Sequence, residues 1–165
     1  MRTYRLRTGL LAAGVLSCIG MAPAAADPRG LWQAMDGSRV RIASCGGAAL
    51  CGTMVSASTP NDPATGRPWT DKNNPDPNKR NRPLVGVLVL ISMQPNGPAR
   101  WSGHLYDNDR GQTLAGHIIE QGPSTIRVEG CLGAMCGGEN MTRVSEPPPP
   151  AAGRPKPAGK RGGGR

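Results

Sequence analysis

A polar stretch at residues 71–83 holds the densest set of side chains in this sequence that could do chemistry. It reads Asp-Lys-Asn-Asn-Pro-Asp-Pro-Asn-Lys-Arg-Asn-Arg-Pro, and an apolar run at residues 84–91 follows at once. Its arginines could pair with its carboxylates, and its Asp and Asn side chains could bind nearby backbone N–H groups. We therefore expect residues 71–83, called the polar stretch below, to form a rigid strap over the apolar run.

The same residues could instead form a binding site for a small ligand at the mouth of the fold. In that case Arg80 and Arg82, together with Trp101, would orient a carboxylate or a phosphate group. The candidate ligand-binding residues are Asp71, Asn74, Asp76, Arg80, Arg82, Trp101 and Tyr106. We predict no catalytic residue, no metal ligand and no cofactor.

Three carboxylates support an alternative hypothesis from another class, a hydrolase or an accessory protein that acts on envelope glycans. Cleavage of a glycosidic bond uses two carboxylates that flank it, and Asp71, Asp76 and Asp107 are the candidates. The sequence does not fix the distances between them. A fragment of a calcium loop, Asp107-x-Asp109-x-Gly111, lacks the later bidentate Glu and is better explained as a hairpin turn.

Two histidines, His104 and His117, are the remaining candidate metal ligands. In a hairpin centred on residues 108–109 they share one face but lie four positions apart along the strands, roughly 13 Å at the usual strand rise. That distance is too long for both imidazoles to bind one metal ion.

Alternation of apolar and polar residues with a period of two dominates residues 30–144 and indicates strands. Turn signals divide this region into about eight short segments, at residues 31–34, 39–43, 50–57, 84–92, 99–106, 111–120, 125–130 and 139–144. We predict an all-β fold, an antiparallel up-and-down barrel that closes on itself and so has no sheet edges. A two-sheet sandwich is the second choice.

The apolar residues of segment 84–92 occupy both faces, so we expect residues 58–83, with Trp69, or else a second subunit, to cover the outer face.

The two ends of the chain read as segments outside this domain. Residues 1–26 have a basic start, an apolar centre and a small-residue site before Asp27, which predicts a secretory signal cleaved after Ala26. Acylation of Cys18 in a lipoprotein signal is the alternative. Residues 145–165 are rich in Pro, Gly, Lys and Arg and predict a disordered tail. The domain is then 27–144, with no transmembrane segment after cleavage.

The net charge of +9 comes mostly from these two ends. Residues 27–144 hold twelve basic and ten acidic side chains, and few aromatic ones. Proteins that bind nucleic acid concentrate basic residues on the folded face that meets phosphate. The composition therefore argues against a nucleic-acid partner.

Four cysteines remain after signal cleavage, as two local pairs, Cys45 with Cys51 and Cys131 with Cys136. Disulfides persist in exported proteins. Three connectivities are possible for four cysteines, and we favour the two local bridges, each stapling one connection between strands. Neither spacing matches a redox motif or a zinc knuckle.

Gly30-x-Trp32 near the start and Arg143 near the end complete a set of motifs that resembles a known family. Between them lie Cys45 and Cys51-Gly52, the polar stretch up to Gly86, Trp101-x-Gly103-x-x-Tyr106-Asp107, and Thr142. Together they are similar to an uncharacterised family of secreted bacterial proteins, domain of unknown function 2147. The resemblance implies a lipocalin-like barrel closed by Trp32 and Arg143, and an exported location, but no established activity. Met141 and the Cys131/Cys136 pair depart from the family pattern.

These observations predict an exported protein, periplasmic or secreted, that binds without catalysing a reaction. The expected partner is a small amphipathic ligand or a component of the cell envelope. The sequence sets neither the identity of that partner nor the oligomeric state.

Overall fold

In residues 27–146, which the computed structural model describes, eight antiparallel strands close into a barrel. Each strand pairs with the strands before and after it in sequence, and the last pairs with the first. The strands are β1 (Gly30–Gln33), β2 (Arg39–Gly46), β3 (Ala49–Ser56), β4 (Leu88–Pro95), β5 (Arg100–Asp107), β6 (Gln112–Gly122), β7 (Thr125–Leu132) and β8 (Met135–Val144). A short 3-10 helix, Pro77–Lys79, lies in the connection between β3 and β4. The all-β barrel prediction is confirmed.

The predicted signal segment, residues 1–26, and the tail from residue 147 onward lie outside the described residues. Within the described part of the chain, no helix has the length and the apolar composition needed to cross a bilayer.

Up-and-down topology gives the barrel two different ends. The β1–β2, β3–β4, β5–β6 and β7–β8 connections share one end, called the open end below. The other three connections and both termini share the opposite end, called the closed end. At the closed end β1 meets β8, with Trp32 opposite Arg143 and Gln33 opposite Thr142.

The core fills the barrel interior. Inward-facing residues come from every strand because alternate side chains of a strand point to the same face. The largest fully buried apolar side chains are Trp32, Ile42, Leu90, Met93, Ile118 and Ile126. Burying each side chain of this size stabilises the fold by about 1.5–3 kcal/mol relative to exposing it.

The fourth strand begins at Leu88, four residues later than the sequence suggested. Gly86 has a φ of +94°, a left-handed conformation that interrupts an extended strand. The residues before β4 instead make a turn, in which the N–H of Val87 donates to the carbonyl of Leu84 at 3.1 Å. Leu84 and Val87 are buried, whereas Val85 and Leu88 are exposed, so the apolar run is not covered on both faces throughout.

In the two hairpins that carry the cysteines, the paired strands extend closer to the turn than the sequence suggested. Residues 45 and 51 lie within β2 and β3, and residues 131 and 136 face each other directly across β7 and β8. Both local disulfides are present, with Cα–Cα distances of 5.7 Å and 4.0 Å. Each disulfide therefore links two paired strands close to their turn, and its cysteines do not lie in a loop between the strands.

Candidate ligand-binding site

Asp71 is the centre of a buried polar network that fixes the polar stretch to the barrel. Its side chain is fully buried. One oxygen, Oδ1, accepts a hydrogen bond from the Tyr106 hydroxyl at 2.7 Å. The other, Oδ2, accepts from Asn74 Nδ2 at 2.7 Å and from Arg82 Nη2 and Nε at 2.7 and 3.0 Å. Burying a charge lowers the stability of a fold strongly unless the charge is paired and hydrogen-bonded. The Asp71 carboxylate is both.

The ionisation of this network is set by the same contacts. Burial acts to raise the pKa of Asp71, but hydrogen bonds from Tyr106, Asn74 and Arg82 outweigh it, and the pKa lies below the usual value for Asp. For Tyr106, burial and the hydrogen bond to the Asp71 carboxylate raise the pKa to about 12. Near neutral pH the pair is therefore a carboxylate that accepts from a neutral phenol.

Local bonds stiffen the polar stretch around this centre. The Asn74 side-chain oxygen accepts from the backbone N–H of Asp76 at 2.9 Å, and Arg80 Nε donates to the Asn74 carbonyl at 2.8 Å. Asp76 caps the short 3-10 helix by accepting from the N–H of Asn78 at 3.0 Å. Every polar side chain of the candidate set in this segment thus has a structural partner within the segment or on β5.

A second attachment joins the polar stretch to the β5–β6 turn. Asn73 Nδ2 donates to the carbonyls of Asn108 and Asp109 at 3.3 and 2.9 Å. The Asn73 carbonyl approaches Gly111 so closely that a Cβ there would overlap it. Gly111 also has a φ of +65°, so glycine is needed at this position both for its backbone conformation and for space.

The sequence-derived ligand set is thus brought together only in part. Asp71, Asn74, Arg80, Arg82 and Tyr106 meet, and Asp76 lies next to them. Trp101 lies near the closed end, paired with Pro95 and Ile118, where it borders a shallow depression with Asp27 and Ala48.

A cavity of about 460 Å³ lies inside the open end of the barrel. Its size falls within the range of small-molecule sites. Apolar side chains from the strands and the long connection form its floor and walls, namely Ala34, Val40, Met54, Ala57, Trp69, Leu84, Val89, Leu90, Leu105, Val128 and Met141. Tyr106 also borders it, so the polar network and the cavity share one residue.

The polar residues of the cavity lie at its rim and include four acids. Asp36 lies in the β1–β2 connection, Asp107 ends β5, Asp109 lies in the β5–β6 turn, and Glu139 lies within β8. Among the described residues that line the cavity, none is Lys or Arg. The arginines that we expected to orient an anionic group, Arg80 and Arg82, do not line it.

The three carboxylates of the hydrolase hypothesis occupy separate structural positions. Asp71 lies in the buried network, and Asp76 caps the 3-10 helix. Asp107 holds the β5–β6 turn by accepting from the N–H groups of Asp109 and Arg110 and from the Arg110 guanidinium at 2.8 Å. The same contacts explain the Asp107-x-Asp109-x-Gly111 pattern as a hairpin turn. The arrangement therefore offers no support for a catalytic pair.

The two histidines lie closer together than we expected, two positions apart along the strands instead of four. The β5–β6 hairpin is centred one residue later than we expected, with His104 opposite Ala115 and Ser102 opposite His117, because the turn spans residues 108–111. His117 does lie close to Glu129 and Cys131. However, Cys131 is in a disulfide, and Glu129 pairs with Arg127 at 3.3 Å and with Arg100 at 3.6 Å.

The closed end is sealed by Arg143. Its guanidinium lies 4.2 Å from the centre of the Trp32 ring, a cation–π contact. The same group donates to the carbonyls of Asp27, Arg29 and Pro123 at 2.6–3.0 Å. Beside it, burial raises the pKa of Glu120.

Sequence reasoning named Asp107 and Asp109 for other roles, but it missed Asp36, Glu139 and most of the cavity wall. The inward positions of each strand follow from alternation, and the connections that share the open end follow from up-and-down topology. Combining these two signals would have placed Asp36, Asp109 and Glu139 near one another. The sequence could not show that the interior stays unfilled at this end.

Comparison with known proteins gives a family and a fold. The family model described as "Uncharacterized protein conserved in bacteria (DUF2147)" matches residues 30–143. Among curated proteins, none matches the chain. A solved structure from the human pathogen Helicobacter pylori, described as belonging to the lipocalin family, is similar, with 21% sequence identity and a TM-score of 0.61. The similarity covers 73% of this chain and 85% of the other.

Proposed function

We propose that this chain, which belongs to the DUF2147 family of uncharacterized bacterial proteins, binds a small amphipathic ligand in the open end of its barrel. The observation that carries this proposal is the cavity of about 460 Å³, apolar inside and polar at the rim. An amphipathic molecule would bury its apolar part among the strand side chains and keep its polar group at the rim. Burying apolar area at about 25 cal/mol per Å² supplies the driving force.

The polar stretch serves this function indirectly. Its bonds to Tyr106 and to the β5–β6 turn hold the long β3–β4 connection beside the cavity. The same connection contributes Trp69 and Leu84 to the cavity wall. A pre-formed wall reduces the entropy that ligand binding would otherwise cost.

We place this binding in the periplasm or outside the cell. Two disulfides support an oxidising compartment, since they are rare in cytosolic proteins. The signal sequence expected at residues 1–26 would deliver the chain there.

Native mass spectrometry of the protein purified from its own cells without detergent tests the proposal. We expect a population whose mass exceeds that of the polypeptide by a small molecule, and loss of that excess after denaturation. A single population with the mass of the polypeptide alone would contradict retention of a ligand.

A further inference from the structure

The charged side chains that line the cavity mouth are all negative. Asp36, Asp109 and Glu139 are exposed at the rim and take part in no ion pair among the described residues. The Asp36 and Glu139 side chains each accept one backbone N–H, from Ser38 and Met35 at 2.9 and 2.8 Å. Those bonds hold the two carboxylates at the mouth without neutralising them.

Most cations of the connections at the open end are held in ion pairs. Arg82 pairs with Asp71, and Arg110 pairs with Asp107. Lys72 pairs with Asp62 at 3.4 Å. Arg39 donates to the neutral side chain of Gln33 at 3.0 Å and keeps its charge, but it does not line the cavity. A ligand that carries a negative group would therefore meet uncompensated carboxylates at the rim and no free cation on the cavity wall.

Aromatic rings lie at the same mouth. Trp69 and Tyr106 both border the cavity, and aromatic faces attract cations in addition to burying apolar surface. The Trp69 ring already has the Lys72 ammonium 5.7 Å from its centre. Apolar walls, aromatic rings and unpaired carboxylates in one cavity are a combination that suits an organic cation.

We propose that the ligand is a cationic amphiphile, with an amine or quaternary ammonium group at the acidic rim and an alkyl or aromatic body in the barrel. This proposal rests on the proposed function and specifies its ligand class. Ionic attraction at an exposed rim is modest and screened by salt. The affinity should therefore come mainly from the apolar body, and the preference for positive charge should come from the rim.

Isothermal titration calorimetry of the disulfide-bonded protein with three probes of equal chain length tests the proposal. The probes are decyltrimethylammonium and decanoate, each below its micelle concentration, and decanol below its solubility limit, at low salt and near neutral pH. We expect decyltrimethylammonium to bind about tenfold more tightly than decanol, and decanoate to bind most weakly. Added salt should reduce the preference of the protein for the cation.

Paired variants separate rim charge from general effects of charge. Asp36→Asn combined with Glu139→Gln keeps an oxygen acceptor at each position and removes two negative charges. This double variant should lower the ratio of the cation affinity to the decanol affinity several-fold. Asp27→Asn combined with Glu146→Gln removes two charges at the closed end and should leave that ratio unchanged.

The outcomes distinguish the proposal of a cationic ligand from the proposed function on which it rests. Equal or tighter binding of decanol or decanoate would overturn the cationic ligand while leaving the proposed function in place. Absence of binding by all three probes would overturn both. A ratio that falls equally in both double variants would also overturn the assignment of the preference to the rim.

Discussion

The Tyr106 hydroxyl donates to Asp71 Oδ1 across 2.7 Å, although the two residues lie 35 positions apart in the chain. This bond joins β5 to the long β3–β4 connection, and it is made by a carboxylate that solvent does not reach. The connection is therefore held to the barrel wall by a buried, charge-assisted network. The consequences of this arrangement can be measured.

Replacing Arg82 by Ala should lower the free energy of unfolding. The change removes two hydrogen bonds and the ion pair to Asp71, and it leaves a buried carboxylate with neutral donors only. Loss of one such pair costs about 1–3 kcal/mol. Urea denaturation of the wild type and the variant measures it.

Arg67→Ala is the matched control for Arg82→Ala. Arg67 is an exposed arginine of the same connection, and its side chain makes no ion pair among the described residues. Its replacement should change the free energy of unfolding by no more than about 0.5 kcal/mol. Equal losses for the two variants would contradict the role of the Asp71 network.

Alkaline titration should show a single, late tyrosine ionisation. Residues 27–165 contain only Tyr106, so the phenolate absorbance of that chain reports this residue alone. We expect a midpoint near pH 12, compared with about 10 in denaturant.

The sign of the effect of Tyr106 on stability follows from this raised pKa. Since the neutral phenol is favoured in the fold, its contribution is complete below about pH 10 and is lost as the pH rises toward 12. Tyr106→Phe should therefore flatten the alkaline fall in the free energy of unfolding. A folded protein that titrates near the ordinary value would show that the hydrogen bond to Asp71 is not made.

Replacing Gly111 by Ala should displace the polar stretch. The new Cβ would overlap the Asn73 carbonyl, and overpacking of this kind costs about 1–3 kcal/mol. Gly133→Ala is the control, because Gly133 lies in another hairpin turn with a similar φ of +60° and has open space around it. Denaturation should show a larger loss for Gly111→Ala, and equal losses would contradict the close contact.

The strand pattern and the family motifs were enough to predict the barrel. Alternation depends only on which residues face the core, so segments such as residues 39–43 could be assigned to strands without knowledge of the neighbouring strands. The predicted strand boundaries were wrong where the conformation of a single residue decides where a strand begins. The left-handed Gly86 delays β4 to Leu88, and the polarity pattern contains no signal for that conformation.

The candidate site was harder to predict for a different reason. Sequence reasoning grouped Asp71, Asn74, Arg80 and Arg82, which are close along the chain, with the distant Tyr106, and these five do meet. It also included Trp101, whose register on β5 places it near the closed end. Asp36, Asp109 and Glu139 lie in the β1–β2 connection, the β5–β6 turn and β8, so their proximity depends on closure of the barrel and on how far the core fills it.

The central claim is that the open-end cavity binds an apolar ligand body, and a cavity-filling variant tests it most directly. Ala57 lines the cavity, whereas Ala115 is exposed on β6 and does not. The measurement is a fluorescence titration with the uncharged probe N-phenylnaphthylamine of the wild type, Ala57→Trp and Ala115→Trp, each confirmed as folded by circular dichroism. We expect saturable binding by the wild type and by Ala115→Trp, and affinity at least about tenfold weaker for Ala57→Trp, a loss of about 1.4 kcal/mol. Absence of saturable binding by the wild type, or equal affinity in all three proteins, would contradict the account.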